Sequence, residues 1–209
     1  MSLRRWALKP GELRPLGRDG LLLLAARCAL RVAPWRPPAA ARCWRECLAF
    51  LVAAAGTTPV ARREAVALAR PLADLGATAC TRLEATDEPR GRCLNYAAGV
   101  LSTAVEATAQ VDRTALVRDV IEVAKLAGSI PAVLAHAGRV PARAGQSPVD
   151  LAAGAAWAAM RADVAAIAAA APAIVAARAP VRALAAVAPL WPGGTPAWAT
   201  ARARGAGTE

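Results

Sequence analysis

The chain is short of the side chains that usually carry out catalysis. Its 209 residues include a single histidine (His136), a single asparagine (Asn95) and a single tyrosine (Tyr96). Nucleophilic catalysis needs a nucleophile, a general base and a group that orients the base. No acidic residue follows His136 at three or four positions, and no nucleophile stands at a supporting distance in the sequence. We therefore predict no catalytic residue and a protein that is not an enzyme.

Metal ligands and phosphate-binding loops are also scarce. Cys43 and Cys47 are four positions apart on one predicted helix and could supply two zinc ligands, but a complete site needs two more. Free cysteine is among the most buried residue types, so core packing is the favoured interpretation. Gly193 and Gly194 follow no strand and precede no Lys-Ser/Thr pair, unlike a phosphate loop. We predict neither a metal nor another cofactor.

Alanine and arginine dominate what is present. Hydrophobic residues make up 56% of the chain and aromatic residues only 4%, and alanine has the highest intrinsic helix propensity. No segment alternates with the period of two that marks a strand. The prediction is an all-α bundle or array of seven to eight Ala-rich helices. The clearest spans are about 20–33, 38–55, 59–79, 89–110, 112–127, 129–139 and 148–171. Asp19 and Asp112 are predicted N-caps.

Composition also divides the chain. We predict an irregular lead-in over residues 1–18 and a single all-α domain over 19–188, with a sub-boundary near 140–147. Residues 189–209 are rich in Pro, Gly and Ala, and we predict that they form a disordered tail. No stretch of about 18 uncharged apolar residues is free of both Pro and Gly, so no transmembrane helix is expected. With no signal-peptide pattern, the expected location is cytoplasmic.

The charge is strongly basic, with a net value of +11. The charge is scattered rather than blocked, and together with the Ala, Gly and Pro content it is typical of a chain encoded by GC-rich DNA. As a functional feature, it suits an acidic protein partner or, as the alternative, nucleic acid. Nucleic-acid binding would also call for a recognisable module, and none is visible. Arginine and tryptophan are enriched in interface hot spots. The predicted binding residues from this argument are Arg27, Arg31, Trp35, Arg42, Trp44 and Arg45.

Asn95 and Tyr96 form the most distinctive polar pair, because each occurs once in the chain. An asparagine inside a helix is mildly unfavourable and can be retained for a hydrogen bond between helices. The alternative is a small-molecule or catalytic pocket in which Asn95 and Tyr96 act with Glu106. Both residues of the pair are therefore added to the candidate binding set.

The order of the first four predicted helices resembles that of the family-five-like bacterial immunity proteins. The segment LLLLAARCALRVAPW resembles the opening helix of that family, and AARCWRECLAFLVAAAGT resembles its second helix. The resemblance extends over about residues 20–110. It implies a small all-helical protein that neutralises a toxin of a polymorphic toxin system by binding it, without catalysis. No functional residue is implied by it.

Overall fold

The computed structural model describes residues 6–140, 145, 147–176, 189–192 and 194–196. This part of the chain is helical and contains no strand, which confirms the predicted all-α class. Short 3-10 turns precede the first helix and connect it to the second. The helices are α1 (Arg18–Val32), α2 (Ala41–Ala54), α3 (Arg62–Leu83), α4 (Glu88–Ala107), α5 (Arg113–His136) and α6 (Pro148–Ala176).

The described residues form six α-helices, fewer than the seven to eight predicted from the sequence. The difference arises because α5 continues through Gly128 and Pro131, where we predicted a break between two short helices. Gly128 serves a close helix approach, since a Cβ atom there would lie 2.8 Å from the indole of Trp157 on α6. Pro131 removes one backbone hydrogen bond, but burial of the surrounding turn sustains the helix.

Helix α1 forms the centre of the fold. Every residue from Leu21 to Ala29 is buried, and α1 contacts α2, α4, α5 and α6. A helix that is buried all round is typical of the interior of a larger helical protein. The consecutive helices α3 to α6 pack as neighbours, with α3 against α4, α4 against α5 and α5 against α6.

The helix starts follow the predicted capping only in part. The Asp112 carboxylate accepts a hydrogen bond from the Ala115 N–H at 2.7 Å, as an N-cap should. Asp19 is the predicted N-cap of α1, but that helix begins at Arg18, two residues before the predicted start, and Gly17 occupies the N-cap position. The Asp19 carboxylate instead accepts a hydrogen bond from the Gly56 N–H at 3.0 Å, just beyond the end of α2.

The described parts of the predicted lead-in and of the predicted tail pack against the helices. Leu8, Leu13 and Leu16 in the N-terminal lead-in are buried members of the core. Pro189–Trp191, at the start of the segment predicted to be disordered, lie against α1. Residues 197–209 and most of the predicted sub-boundary at 140–147 lie outside the described residues.

Candidate functional site

Four of the predicted binding residues lie in the interior, contrary to the expectation that they form an exposed surface. Arg27 is 1% exposed and Arg31 is 2% exposed. Trp35 and Trp44 are buried as well, and both belong to the hydrophobic core. A partner protein therefore has no direct access to these side chains in this structure.

The two buried arginines share the carboxylate of Asp163, which projects from α6. The Arg27 Nε atom lies 2.7 Å from Asp163 Oδ1, and Arg31 Nη1 donates a hydrogen bond to Asp163 Oδ2. Arg31 Nη2 also donates to the Ala159 carbonyl at 3.1 Å. We refer to Arg27, Arg31 and Asp163 as the arginine cluster. Burial of these charges is sustained by pairing, since an unpaired buried charge is strongly destabilising.

The arginine cluster also contacts the segment Pro189–Trp191. Arg27 Nη2 donates to the Pro189 carbonyl at 3.2 Å, and Arg31 Nε donates to the Leu190 carbonyl at 3.1 Å. The guanidinium carbon of Arg31 lies 5.5 Å from the centroid of the Trp191 ring, in a cation–π arrangement. Sequence reasoning missed this cluster because its members are far apart in the chain, although the shared face of Arg27 and Arg31 was visible.

Arg42 and Arg45 are the two predicted arginines that remain exposed. Arg42 Nε lies 2.8 Å from Glu46 Oε1 one turn along α2. Together with Ala49, these three residues line a shallow groove of about 380 Å³. This groove is the accessible remainder of the predicted basic binding surface.

The distinctive Asn95–Tyr96 pair points in two directions. Asn95 is half-buried and faces α3, where a Cβ atom on Gly76 would lie 3.3 Å from its Oδ1 atom. Tyr96 lines a cavity on the side of α5 and α6. Glu106 is exposed and does not line that cavity. The predicted three-residue pocket therefore does not form, but one of its members lies in a different cavity.

This cavity has a volume of about 360 Å³ and is bounded by three helices and the N-terminal lead-in. Tyr96 and Trp157 contribute aromatic walls, and Leu126 contributes an aliphatic one. The full lining is Ala7, Tyr96, Glu122, Lys125, Leu126, Ser129 and Trp157. We call it the Tyr96–Trp157 cavity.

Three polar groups converge on the Tyr96–Trp157 cavity from α5. Lys125 Nζ and Glu122 Oε2 form an ion pair at 3.2 Å, and both side chains are half-exposed. The Ser129 hydroxyl donates to the Lys125 carbonyl at 2.8 Å and can still accept a hydrogen bond. The buried indole N–H of Trp157, which also lines the cavity, has no hydrogen-bond partner within the described part of the chain. A buried donor of this kind is uncommon.

Cys43 and Cys47 lie close together, with 3.9 Å between their Sγ atoms. Cys47 also donates to the Leu68 carbonyl at 3.4 Å, and burial raises the pKa of its thiol to about 12. Among the described residues, no third cysteine, histidine or acidic residue joins the pair to make a group able to hold a metal ion. His136 is exposed at the end of α5.

Comparisons with protein families, curated proteins and solved structures found no match to this chain. The resemblance to immunity proteins consequently stays a sequence-based expectation. Within the described residues, the stretch Pro148–Ala170 of α6 is long and apolar enough to cross a membrane, and half of an apolar 18-residue window in it is buried inside the protein. Core helices and membrane spans share this composition.

Proposed function

We propose that this chain is a non-enzymatic binding protein whose Tyr96–Trp157 cavity takes a small amphipathic molecule. The observation that supports the proposal is the convergence of aromatic walls and polar groups on one cavity. Its volume of about 360 Å³ falls within the range of about 300–1,000 Å³ that is usual for ligand sites.

The lining indicates the chemistry of the ligand. An apolar or aromatic body would contact Tyr96, Leu126 and Trp157, since aromatic side chains contribute large contact areas. A polar end of the ligand would meet the ion pair of Glu122 and Lys125 at the mouth. Such a combination of apolar walls and a few oriented polar groups gives both affinity and orientation.

A cavity-filling substitution tests this proposal. Ser129→Phe places a ring in the cavity and is expected to raise the Kd of the fluorescent probe 1-anilinonaphthalene-8-sulfonate at least tenfold. Thr78→Phe on α3 is the matched control, because the Thr78 hydroxyl also donates to the carbonyl four residues earlier at 2.8 Å and lies outside the cavity. Equal probe binding by natively helical Ser129→Phe and wild-type protein would exclude the cavity as the site.

A second candidate function is the one expected from the sequence, namely binding of an acidic partner protein in the immunity-like manner. It is supported by the exposed groove of Arg42, Arg45, Glu46 and Ala49 on α2. Complementary charge accelerates association and makes it sensitive to salt.

Affinity capture from the native cell, with mass spectrometry, tests the second candidate. We expect one stoichiometric protein that is lost with Arg45→Glu and retained with Arg82→Glu, an equally exposed control on α3. Capture of nucleic acid that falls steeply with salt would favour the alternative expected from the basic charge.

A further inference from the structure

The described C-terminal segment Pro189–Trp191 accepts hydrogen bonds from two buried arginines. The Pro189 and Leu190 carbonyls accept from Arg27 and Arg31, and the Trp191 indole covers the Arg31 guanidinium. Both arginines are almost fully enclosed, with 2% and 1% of their side chains exposed. The segment therefore occupies a position in which it shields two cations from solvent.

A neutral carbonyl is a weaker partner for a guanidinium group than an oxyanion is. The ionised guanidinium makes both carbonyl hydrogen bonds charge-assisted already, but an oxyanion adds the attraction between opposite charges, and the planar fork of arginine matches carboxylate and phosphate oxygens. Asp163 provides one carboxylate for the two guanidinium groups. An oxyanion in place of the Pro189 and Leu190 carbonyls would place a second negative charge beside the same two cations.

A surface pocket of about 280 Å³ lies beside the contact between the segment and α1, bordered by Arg31 and Pro34 on one side and by Trp191 and Thr195 on the other. Such a volume accommodates a carboxylate or phosphate group. Because the Arg31 side chain is only 1% exposed, an oxyanion reaches its guanidinium only when the segment moves away.

We propose that Arg27 and Arg31 form an oxyanion-binding site, and that Pro189–Trp191 is its internal occupant. An oxyanion then binds at the arginine cluster by displacing the two carbonyls. The apparent affinity for the oxyanion is lowered because only molecules with a displaced segment can bind it. A substitution that weakens the contact between the segment and the arginine cluster should therefore strengthen anion binding.

Trp191→Ala in the full chain provides the test, because it removes the ring over Arg31 and leaves both arginines in place. Thermal unfolding is followed in sodium phosphate, sodium acetate and sodium chloride at matched ionic strength. We expect phosphate or acetate to stabilise Trp191→Ala through binding to the native state, with an apparent Kd about tenfold lower than that of wild type. The preferred oxyanion is the one whose salt raises the unfolding temperature of Trp191→Ala more, relative to its effect on wild type.

Trp44→Ala is the matched control, since Trp44 is a similarly buried tryptophan of α2 that covers no arginine of the cluster. It should lose stability, and its shifts in phosphate and acetate relative to chloride should equal those of wild type, because phosphate also stabilises folded proteins without binding to a site. Leu190→Ala, at a half-buried position, serves if Trp191→Ala does not fold. Shifts of the folded segment variant in phosphate and acetate that are no larger than those of Trp44→Ala would overturn the proposal.

Discussion

Replacing Asp163 by asparagine tests whether the arginine cluster holds α6 to the centre of the fold. Asp163 is 1% exposed, and its two oxygens are paired with Arg27 and Arg31. Asparagine keeps the shape but removes the charge, so two buried guanidinium groups lose their carboxylate. Breaking a buried pair in this way costs about 3–5 kcal/mol. Because whole domains are stable by only about 5–15 kcal/mol, the loss should be a large fraction of the total.

Urea unfolding followed by circular dichroism measures this loss as a lower midpoint with an unchanged slope. Asp74→Asn is the control, since Asp74 lies 3.9 Å from Arg70 and both side chains are largely exposed. Exposed pairs of this kind contribute little, so this variant should unfold like wild type. A loss below about 1 kcal/mol for Asp163→Asn would refute the reasoning that the buried charges depend on this carboxylate.

Three further predictions concern packing and thiols. Gly76→Ala should destabilise by about 1–3 kcal/mol, because its Cβ would lie 2.5 Å from that of Ala98, whereas Gly99→Ala, with 3.4 Å to its nearest neighbour, should not; equal urea midpoints would contradict this. Burial raises the pKa of the Cys93 thiol from 9.0 to about 12, so the native state retains a proton that the unfolded chain loses above pH 9. Because of this thiol, the free energy of unfolding should fall by up to about 1.4 kcal/mol per pH unit between pH 9 and 12. Cys93→Ala should lack this part of the pH dependence in urea unfolding. Half-buried Cys80 should react with a thiol reagent well before Cys93, and simultaneous labelling in the native state would exclude the described burial.

The local features of the fold were predictable from sequence because they depend on neighbouring residues. The cap at Asp112 follows from a side chain that reaches a nearby backbone N–H. The helical class follows from alanine content and spacing. The continuous α5 was not predictable in this way, because Gly128 and Pro131 are breakers by themselves. Only the indole of Trp157, on another helix, shows why a glycine is required inside α5.

The candidate site was harder to predict because it depends on distant contacts. Sequence reasoning singled out Tyr96, but the pocket that it offered as an alternative placed Tyr96 together with Asn95. Adjacent helical residues do not share a face, so the separation of Asn95 and Tyr96 between α3 and the cavity follows from helix geometry alone. Trp157 lies in the predicted helix 148–171, and nothing local to that helix indicates that it lines the same cavity as Tyr96.

The shortage of large side chains explains why arginine and tryptophan were misleading as markers of a binding surface. Helices built mainly from alanine supply little buried area, so the few large side chains become important for filling the interior. Trp35 and Trp44 are part of the core, and the stems of Arg27 and Arg31 are enclosed with their charges paired through Asp163. Four of the six residues selected by the hot-spot argument therefore lie in the interior, whereas Arg42 and Arg45 are exposed. A binding function for this chain is better sought where large side chains border open space, as at the Tyr96–Trp157 cavity.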